Sequence, residues 1–313
     1  MILVTGSLAF DHIMDFPGKF ADHIMPDKVH MLNVSFLVTQ MRKSFGGTAG
    51  NISYTLSLLG IRTVILGIAG EDFATYREFL EKNEIDTSYI KSVNNLYTST
   101  AFGVTDSRDN HIWGFYSGAD SLSDHLSIHD IEGKIDFGIV APNNPRAMIK
   151  FAREYQQLKI PYLFDAGMQL PWLSGADLHT GFNGAKIIIG NDYEISVMEK
   201  KMEIADLHSL SSEDKIVITT LGEQGSRISA DGKTIQVKAA RVRNVSDPAG
   251  AGDVYRAGFM AGFMRNLPLK TCAQMGSVAA AYTVEKFGTT THSFTIPDFE
   301  RRYKENFGEE IKL

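Results

Sequence analysis

The sequence predicts an α/β protein with a doubly wound, mostly parallel sheet. Its apolar residues occur in short, near-continuous runs, which are typical of strands that are buried on both faces of a parallel sheet. Stretches with helical periodicity lie between several of these runs, and this alternation indicates helices on both faces of the sheet. A chain of 313 residues, 43% of them hydrophobic, is long enough to bury one large core. We therefore expect a single domain that spans residues 1–313.

Six apolar runs are the predicted strands of this sheet, and most of them end in a small or polar residue. They are Ile2–Ser7, Thr63–Gly70, Phe137–Pro142, Pro161–Gly167, Lys186–Asn191 and Lys215–Gly222. The helical patterns are Ala49–Leu59, Tyr76–Asn83, Pro145–Leu158, Tyr193–Met202, Asp253–Asn266 and Leu269–Phe287. In sheets of this class ligands bind at the carboxyl ends of the strands, and we expect the functional site there.

Two stretches interrupt the alternation of strand and helix. Residues Lys28–Phe45 and Tyr97–Asp120 are rich in β-branched and aromatic side chains, and Asp106–Asn110 predicts a turn between two strands. The two stretches either form a small sheet that projects from the main domain or extend one edge of the main sheet. The residues alone leave both arrangements open. A further hairpin is predicted at Asp231-Gly232, because this dipeptide between strand-like flanks is a strong turn signal.

Charge and composition exclude several classes of protein. A net charge of −6 argues against a general nucleic-acid-binding protein, because phosphate contacts need a basic face. No apolar run approaches the roughly 20 residues of a membrane span, and the first residues do not resemble a signal peptide. The single cysteine, Cys272, cannot form an intramolecular disulfide and suits a reducing compartment. We expect a cytoplasmic protein without a nucleic-acid or membrane partner.

The segment Ser246–Phe259 contains the most suggestive local pattern. Gly250, Ala251 and Gly252 directly precede Asp253 at the start of a predicted helix. Glycine permits positive φ and close approach of a ligand, and the first-turn amides of a helix lack internal partners. These residues could therefore bind an anion, with Asp253 beside it as a base. Helix capping and packing also explain such a motif when it is taken alone.

Two separated motifs resemble the signatures of the ribokinase-like, or phosphofructokinase-B, family of sugar and nucleoside kinases. Asp247–Phe259 is similar to the family pattern D-T-x-G-A-G-D, with Pro248 in place of the threonine. Phe45–Gly60 resembles a second signature, a Gly-Gly pair followed by an asparagine at the opening of a helix. The resemblance covers essentially the whole chain. It implies a ribokinase-like fold with a small β-sheet lid, formed approximately by residues 12–45 and 97–120.

The resemblance also implies a set of catalytic and acceptor-binding residues. Asp253 corresponds to the catalytic base, and the amides of Gly250, Ala251 and Gly252 correspond to an anion hole for the transferred phosphoryl group. Asp11 corresponds to an aspartate that accepts hydrogen bonds from two substrate hydroxyls. The other acceptor-binding residues that match the family are Gly46, Gly47 and Asn51. From the residues alone, Asp11 could equally be a turn residue after the first strand.

The nucleotide side is implied by the resemblance in the same way. Asn191 and Glu194 resemble the N-x-x-E motif, which arranges Mg²⁺ and phosphates through water, although this spacing also fits a capping box. The remaining matches around ATP are Thr220, Gly222, Gly225, Ser277 and Ala281, of which Gly225 suits a turn better. Asp247 matches one ligand of a monovalent cation, K⁺, that several family members bind. His292 stands where a serine is common, which weakens the K⁺ assignment.

The acceptor is the least constrained part of the prediction. Phe102 and Phe115 make the lid side apolar, which favours a nucleoside because its base needs a flat apolar slot. The resemblance therefore implies an ATP-dependent kinase that phosphorylates the 5′-hydroxyl of a nucleoside, with adenosine as the first choice. A sugar kinase acting on ribose or a fructose derivative is the alternative, and a ligand-binding protein without activity is a third. Both a monomer and a homodimer are compatible with the sequence.

Overall fold

The computed structural model describes residues 1–108 and 110–313. The strands are β1 (Ile2–Thr5), β2 (Ala9–Asp15), β3 (Gln40–Gly46), β4 (Thr63–Ala69), β5 (Ile90–Ser92), β6 (Ser99–Thr105), β7 (His111–Tyr116), β8 (Phe137–Val140), β9 (Tyr162–Asp165), β10 (Ile187–Asn191), β11 (Ile216–Thr220), β12 (Ser226–Ala230) and β13 (Lys233–Val237). The helices are α1 (Thr48–Leu58), α2 (Ala74–Lys82), α3 (Pro145–Leu158), α4 (Gly175–Asn183), α5 (Asp192–Met202), α6 (Ala251–Phe263), α7 (Leu269–Val284) and α8 (Ile296–Phe307).

The main sheet confirms the predicted fold class. Within the described residues it contains nine strands in the order β13-β12-β11-β10-β9-β8-β1-β4-β5. Strands β11 to β5 in this order run parallel, and β12 and β13 are added as an antiparallel edge. The last pair is the hairpin predicted at Asp231-Gly232, which is thereby confirmed.

Helices cover both faces of the main sheet and form two separate cores with it. Helices α1, α2, α6, α7 and α8 pack on one face, and α3, α4 and α5 pack on the other. Alternation along β1 shows the division, since Val4 belongs to the first core and Leu3 to the second. Side chains of a strand alternate between the two faces, so a strand in a three-layer fold must be apolar throughout. This requirement explains the uninterrupted apolar runs in the sequence.

A second, smaller sheet has the order β3-β2-β6-β7 among the described residues. Strand β2 pairs antiparallel with β3 and parallel with β6, and β6 pairs antiparallel with β7. The small sheet is separate from the main sheet, so the alternative of an edge extension is wrong. The predicted turn between β6 and β7 is confirmed in outline, because Asp106 Oδ1 accepts hydrogen bonds from the amides of Arg108 and Asn110 at 2.8 and 3.0 Å. Asp109 lies outside the described residues.

Several element boundaries differ from the sequence-based expectation. Only Gln40–Gly46 of the predicted β-rich stretch Lys28–Phe45 forms a strand, whereas Pro26–Met31 forms a 3₁₀ turn. The apolar residues between this turn and the strand do not pair with another strand, and Leu37 among them is 86% exposed. Strand β2 starts at Ala9, before the expected lid boundary at residue 12.

Two helices, α4 and α8, were not predicted. Helix α4 contains two glycines and has weak apolar periodicity, so local propensity gives little signal for it. Helix α8 carried a stronger signal, because Thr295 caps it and a proline occupies its first turn. None of the helices in the described part of the chain is long and apolar enough to cross a bilayer.

Candidate active site

The turn before α6 is a tight, glycine-dependent structure. Helix α6 begins at Ala251, two residues earlier than predicted, and its N-cap Gly250 has a left-handed φ of 73°. Gly250 provides no side-chain acceptor for the first-turn amides. The amide of Ala251 is partly used by the turn, since it donates to the carbonyl of Pro248 at 3.3 Å. The start of α6 therefore has first-turn amides without a side-chain cap, and Asp253 lies in the same turn.

Asp253 is held by a residue that is distant in the sequence. Asn51 on α1 donates from Nδ2 to Oδ2 of Asp253 at 2.8 Å, and Asn51 itself is buried. Burial raises the pKa of Asp253, the charge of Arg256 and the hydrogen bond from Asn51 oppose this shift, and the charge of Glu194 adds to it. Asp253 as a whole residue is only partly buried. A carboxylate with a raised pKa and an accessible oxygen is suited to accept a proton from a ligand.

Asp11 lies in the same cleft and explains the nearby glycine pair. A Cβ on Gly46 would lie 2.2 Å from Oδ2 of Asp11, so only glycine leaves room for this carboxylate. Gly47 has a φ of 85°, and its Cβ would overlap the backbone of Ser7 and Ala9. Burial raises the pKa of Asp11 to about 6, and the charges of Asp247 and Asp253 contribute to the shift.

The register of the small sheet separates the two aromatic residues that we expected beside the acceptor. Asp11 pairs with Ala101, and Ala101 pairs with Phe115, so Phe115 shares the sheet face of Asp11. Phe102 pairs with His12, and the two rings are 5.2 Å apart on the opposite face. Phe102 therefore faces away from Asp11, contrary to the prediction.

Trp113 takes a place on the Asp11 face that the sequence analysis did not assign. It pairs with Gly103, and a Cβ on Gly103 would lie 2.5 Å from the indole ring. Trp113 and Phe115 are both more than half exposed. Alternation along β7 from Phe115 would have identified Trp113 once the face of Asp11 was known.

The residues matched to Mg²⁺ and phosphate form a helix cap. The Asn191 side chain accepts from the amide of Glu194, and Glu194 accepts from the amide of Asn191, both at 2.8 Å. This is the capping box that the spacing also predicted. Glu194 is nevertheless near the base, since its charge raises the pKa of both Asp253 and Asp165.

The carboxylates of the cleft suit a metal ion that binds together with phosphates. No group of three metal-binding side chains occurs within residues 1–108 and 110–313. Mg²⁺ keeps several waters and commonly binds through one or two carboxylates and the phosphates of a substrate. Glu194, with one oxygen in the capping box, can reach such an ion through water. The residues present therefore fit Mg²⁺ as the companion of a nucleotide.

Asp247 ties the glycine turn to the loop that follows α7. Its two carboxylate oxygens accept from the amides of Ala249 at 2.9 Å and Gly288 at 3.1 Å. His292 in the same loop is fully buried, and its ring nitrogens contact the hydroxyls of Thr55 at 3.1 Å and Thr283 at 2.7 Å. Burial lowers the pKa of His292 to about 4, so the ring is neutral at physiological pH. These contacts give Asp247 a structural role with or without K⁺.

The five residues expected around ATP fall into two groups. Thr220 ends β11, and the backbone of Gly222 has a φ of 57° with open space where a side chain would be. Both are therefore accessible to a ligand at the carboxyl edge of the sheet. The other residues are engaged in the protein: a Cβ on Gly225 would lie 1.9 Å from the Val237 carbonyl, the Ser277 hydroxyl accepts from the amide of Ala240 at 2.7 Å, and Ala281 is buried.

Sequence reasoning missed two charged residues beneath the glycine turn. Asp165 ends β9 and Arg256 lies one turn after Asp253 on α6, and both are buried. Nε of Arg256 lies 2.5 Å from Oδ2 of Asp165. A signal was present in each case, because each is a charged residue at the end of or within an otherwise apolar run. Buried charges of this kind need partners and often occur at functional sites.

Comparison with known proteins shows the family to which the chain belongs. Residues 7–296 match the family described as pfkB family carbohydrate kinase. A nucleoside kinase of Methanothermobacter thermautotrophicus is 33% identical over 311 residues, covering 95% of this chain and 92% of that protein.

Two solved structures of the Burkholderia thailandensis nucleoside kinase are also similar. The complex with inosine has a TM-score of 0.89 at 31% identity and covers 100% of both chains. The complex with ADP-inosine has a TM-score of 0.87 at 32% identity and covers 100% of this chain and 98% of that one. The likeness therefore extends over the main sheet and the small sheet together.

Proposed function

The chain belongs to the PfkB family of carbohydrate kinases and is a phosphotransferase with an alcohol group as acceptor. We propose that it transfers the γ-phosphoryl group of ATP to the 5′-hydroxyl of a nucleoside. The expected acceptor is adenosine. One observation carries the proposal. The Asp253 carboxylate, held by Asn51 at 2.8 Å, lies in the first turn of α6 directly after the glycine turn Gly250–Gly252.

Asp253 acts as the general base in this proposal. Its free carboxylate oxygen accepts the proton of the 5′-hydroxyl while that oxygen attacks the γ-phosphorus atom. The hydrogen bond from Asn51 restrains the carboxylate, so the attacking alcohol meets a base in a defined orientation. General-base catalysis of this kind typically contributes about 10²–10⁴ in rate.

The glycine turn binds the phosphoryl group. The first-turn amides of α6 donate hydrogen bonds to oxygens on which negative charge develops. The helix dipole adds only about 0.3–2 kcal/mol, so the hydrogen bonds are the larger contribution. Mg²⁺ bound with ATP would neutralise further phosphate charge, and Glu194 would hold it through its water shell.

The small sheet completes the acceptor site. Asp11 accepts hydrogen bonds from the two ribose hydroxyls, and a charged acceptor makes such bonds about twice as strong as a neutral one. Trp113 and Phe115, on the same sheet face, provide the apolar surface for the base. Their exposure suits a lid that closes over the nucleoside and excludes water, so that transfer to the alcohol is favoured over ATP hydrolysis.

The nucleoside assignment rests on the lid aromatics and on relatives that are nucleoside kinases. Purified protein with Mg²⁺ and ATP should be assayed with adenosine, inosine, guanosine, cytidine, ribose and fructose 6-phosphate, and each product identified by ³¹P NMR. We expect the highest kcat/KM for adenosine and higher values for nucleosides than for either sugar. Preference for ribose or fructose 6-phosphate would instead favour the sugar-kinase alternative.

The role of Asp253 is tested with a matched pair of variants. Asp253→Asn should fold and bind ATP but turn over at least about a hundredfold more slowly. Asp177→Asn changes an aspartate in the first turn of α4, outside the cleft, and should leave kcat unchanged. Near-normal turnover of Asp253→Asn would remove this residue from the mechanism.

A further inference from the structure

The guanidinium of Arg256 is a buried charge directly beneath the proposed anion hole. Arg256 is 6% exposed, and Asp165 at the end of β9 is 1% exposed. A Cβ on Gly252 would lie 2.6 Å from Nη1 of Arg256, so the guanidinium packs against the backbone of the glycine turn. An arginine at this depth is retained only with a charged partner, because desolvation of a lone charge costs several kcal/mol.

The ion pair with Asp165 leaves hydrogen-bonding capacity unused. Nε of Arg256 and Oδ2 of Asp165 are 2.5 Å apart, but Nε and the second oxygen of Asp165 have no aligned hydrogen-bond partner among the described residues. Buried polar atoms in native proteins are normally satisfied, and exceptions concentrate at sites of function. The charged groups of the pair are therefore close together, but they do not form a bidentate hydrogen-bonded ion pair.

Arg256 is also close to the proposed base. Arg256 and Asp253 are three positions apart on α6 and lie on the same helical face. Burial lowers the pKa of Arg256, but the carboxylates of Asp165, Asp253 and Glu194 outweigh it and keep the guanidinium charged. Arg256 on α6, Asn51 on α1 and Glu194 on α5 act on the pKa of Asp253. The charge of Asp253 in turn raises the pKa of three groups that face it, Asp165 on β9, Asp11 on β2 and Tyr76 on α2.

We propose that Arg256 and Asp165 form a positioning pair for Asp253, an inference that rests on the base role proposed above. The fixed positive charge of Arg256 keeps the Asp253 carboxylate ionised in an acidic, buried cleft. Asp165 holds the guanidinium so that it does not form a direct ion pair with Asp253. The carboxylate of Asp253 thus stays ionised but free to accept the proton of the acceptor alcohol. Neither residue contacts the substrate.

The two halves of the pair should shift the ionisation of the base in opposite directions. Arg256→Gln removes the positive charge and should raise the pKa of Asp253. The acid limb of the pH profile of kcat/KM should therefore move to higher pH by about one unit or more. Arg256→Lys retains the charge and should lie nearer to wild type. Asp165→Asn frees the guanidinium to pair with Asp253, so the acid limb should move to lower pH while kcat falls at least about tenfold.

A merely structural ion pair predicts a different result. In that case both variants lose stability, and the acid limb stays in place or moves in the same direction for both; either outcome would overturn the proposal. If Arg256→Gln alone does not fold, Arg256→Gln/Asp165→Asn is compared with Asp165→Asn, since these two differ only in the charge of Arg256. The double variant should have its acid limb at the higher pH.

A second readout does not depend on turnover. The carboxyl carbon of Asp253 can be followed by ¹³C NMR in aspartate-labelled protein and assigned by its absence in Asp253→Asn. The same opposite shifts are expected in its titration. If the wild type phosphorylates no acceptor but these shifts occur, the proposed function fails while the positioning pair stands. If it phosphorylates a nucleoside and the shifts are absent, only the positioning pair fails.

Discussion

A single methyl group at position 250 tests how far catalysis depends on the backbone of the glycine turn. Gly250 adopts a left-handed φ of 73° at the N-cap of α6. A Cβ there would lie 2.7 Å from Cγ2 and 2.9 Å from Cβ of Thr289, in the loop after α7. Gly250→Ala therefore combines an unfavourable backbone conformation with a steric overlap, and each part has its own cost.

The size of the effect follows from these two contributions. A left-handed conformation costs an alanine about 1–2 kcal/mol, and overpacking typically costs about 1–3 kcal/mol. We expect the free energy of unfolding to fall by about 2–5 kcal/mol if both apply in full. Relief of the overlap would displace the first-turn amides, and the loss of one oxyanion donor commonly lowers kcat by about 10²–10³.

A matched variant separates the two contributions. Thr289→Ser removes Cγ2 but keeps the hydroxyl, which donates to the carbonyl of Phe45 at 3.1 Å. Gly250→Ala/Thr289→Ser should therefore recover part of the lost stability and part of kcat, while Thr289→Ser alone stays near wild type. Urea unfolding followed by circular dichroism and a coupled assay of ADP release measure both quantities. A double variant no better than Gly250→Ala would refute the steric argument, and wild-type kcat in Gly250→Ala would refute the role of the amides.

Two further predictions concern pH. Burial raises the pKa of Asp11 to about 6, and the charges of Asp247 and Asp253 contribute to this shift. The affinity for a nucleoside, measured by calorimetry without ATP, should therefore weaken as the pH falls through about 6. A constant affinity from pH 5 to 8 would contradict this. Burial lowers the pKa of His208 to about 4, whereas an unfolded imidazole ionises near 6.5. The unfolded chain then binds more protons between pH 4 and 6.5, so the free energy of unfolding should fall as the pH is lowered from 6.5 towards 4. His208→Gln should make this pH dependence less steep, as measured by urea unfolding at several pH values.

The main sheet could be predicted because its physical cause is local. Strands such as Ile187–Asn191 must be apolar on both faces, and this requirement is visible in each run separately. The stretch Lys28–Phe45 supplies only one short strand, β3, to the small sheet, because β-propensity describes a pleated, half-buried surface and most of this stretch has no such surface to join. Strand order was not predictable, since it depends on contacts between runs that are far apart in the chain.

The candidate site divides in the same way. Gly250–Asp253 is contiguous in the sequence, so this segment alone predicted a helix start that could bind an anion. The contact between Asn51 and Asp253 spans 202 positions and was not predicted, because the family resemblance implied only that Asn51 binds the acceptor. The faces of Phe102 and Phe115 depend on strand register relative to Asp11, and a difference of one position in register reverses the face.

The acidity of the cleft is consistent with the proposal that backbone amides, rather than a lysine, bind the phosphoryl group. The charges of Asp247 and Asp253 add to burial in raising the pKa of Asp11, and the proposed nucleotide would bring more negative charge to the same place. A mobile cation beside Asp253 would relieve this repulsion, but it would also pair with the base and reduce its ability to accept a proton. Neutral amide donors stabilise the phosphoryl oxygens without that penalty. Arg256, which packs against the glycine turn, is held by Asp165, which is the arrangement expected if positive charge is needed near the proposed base but not on it.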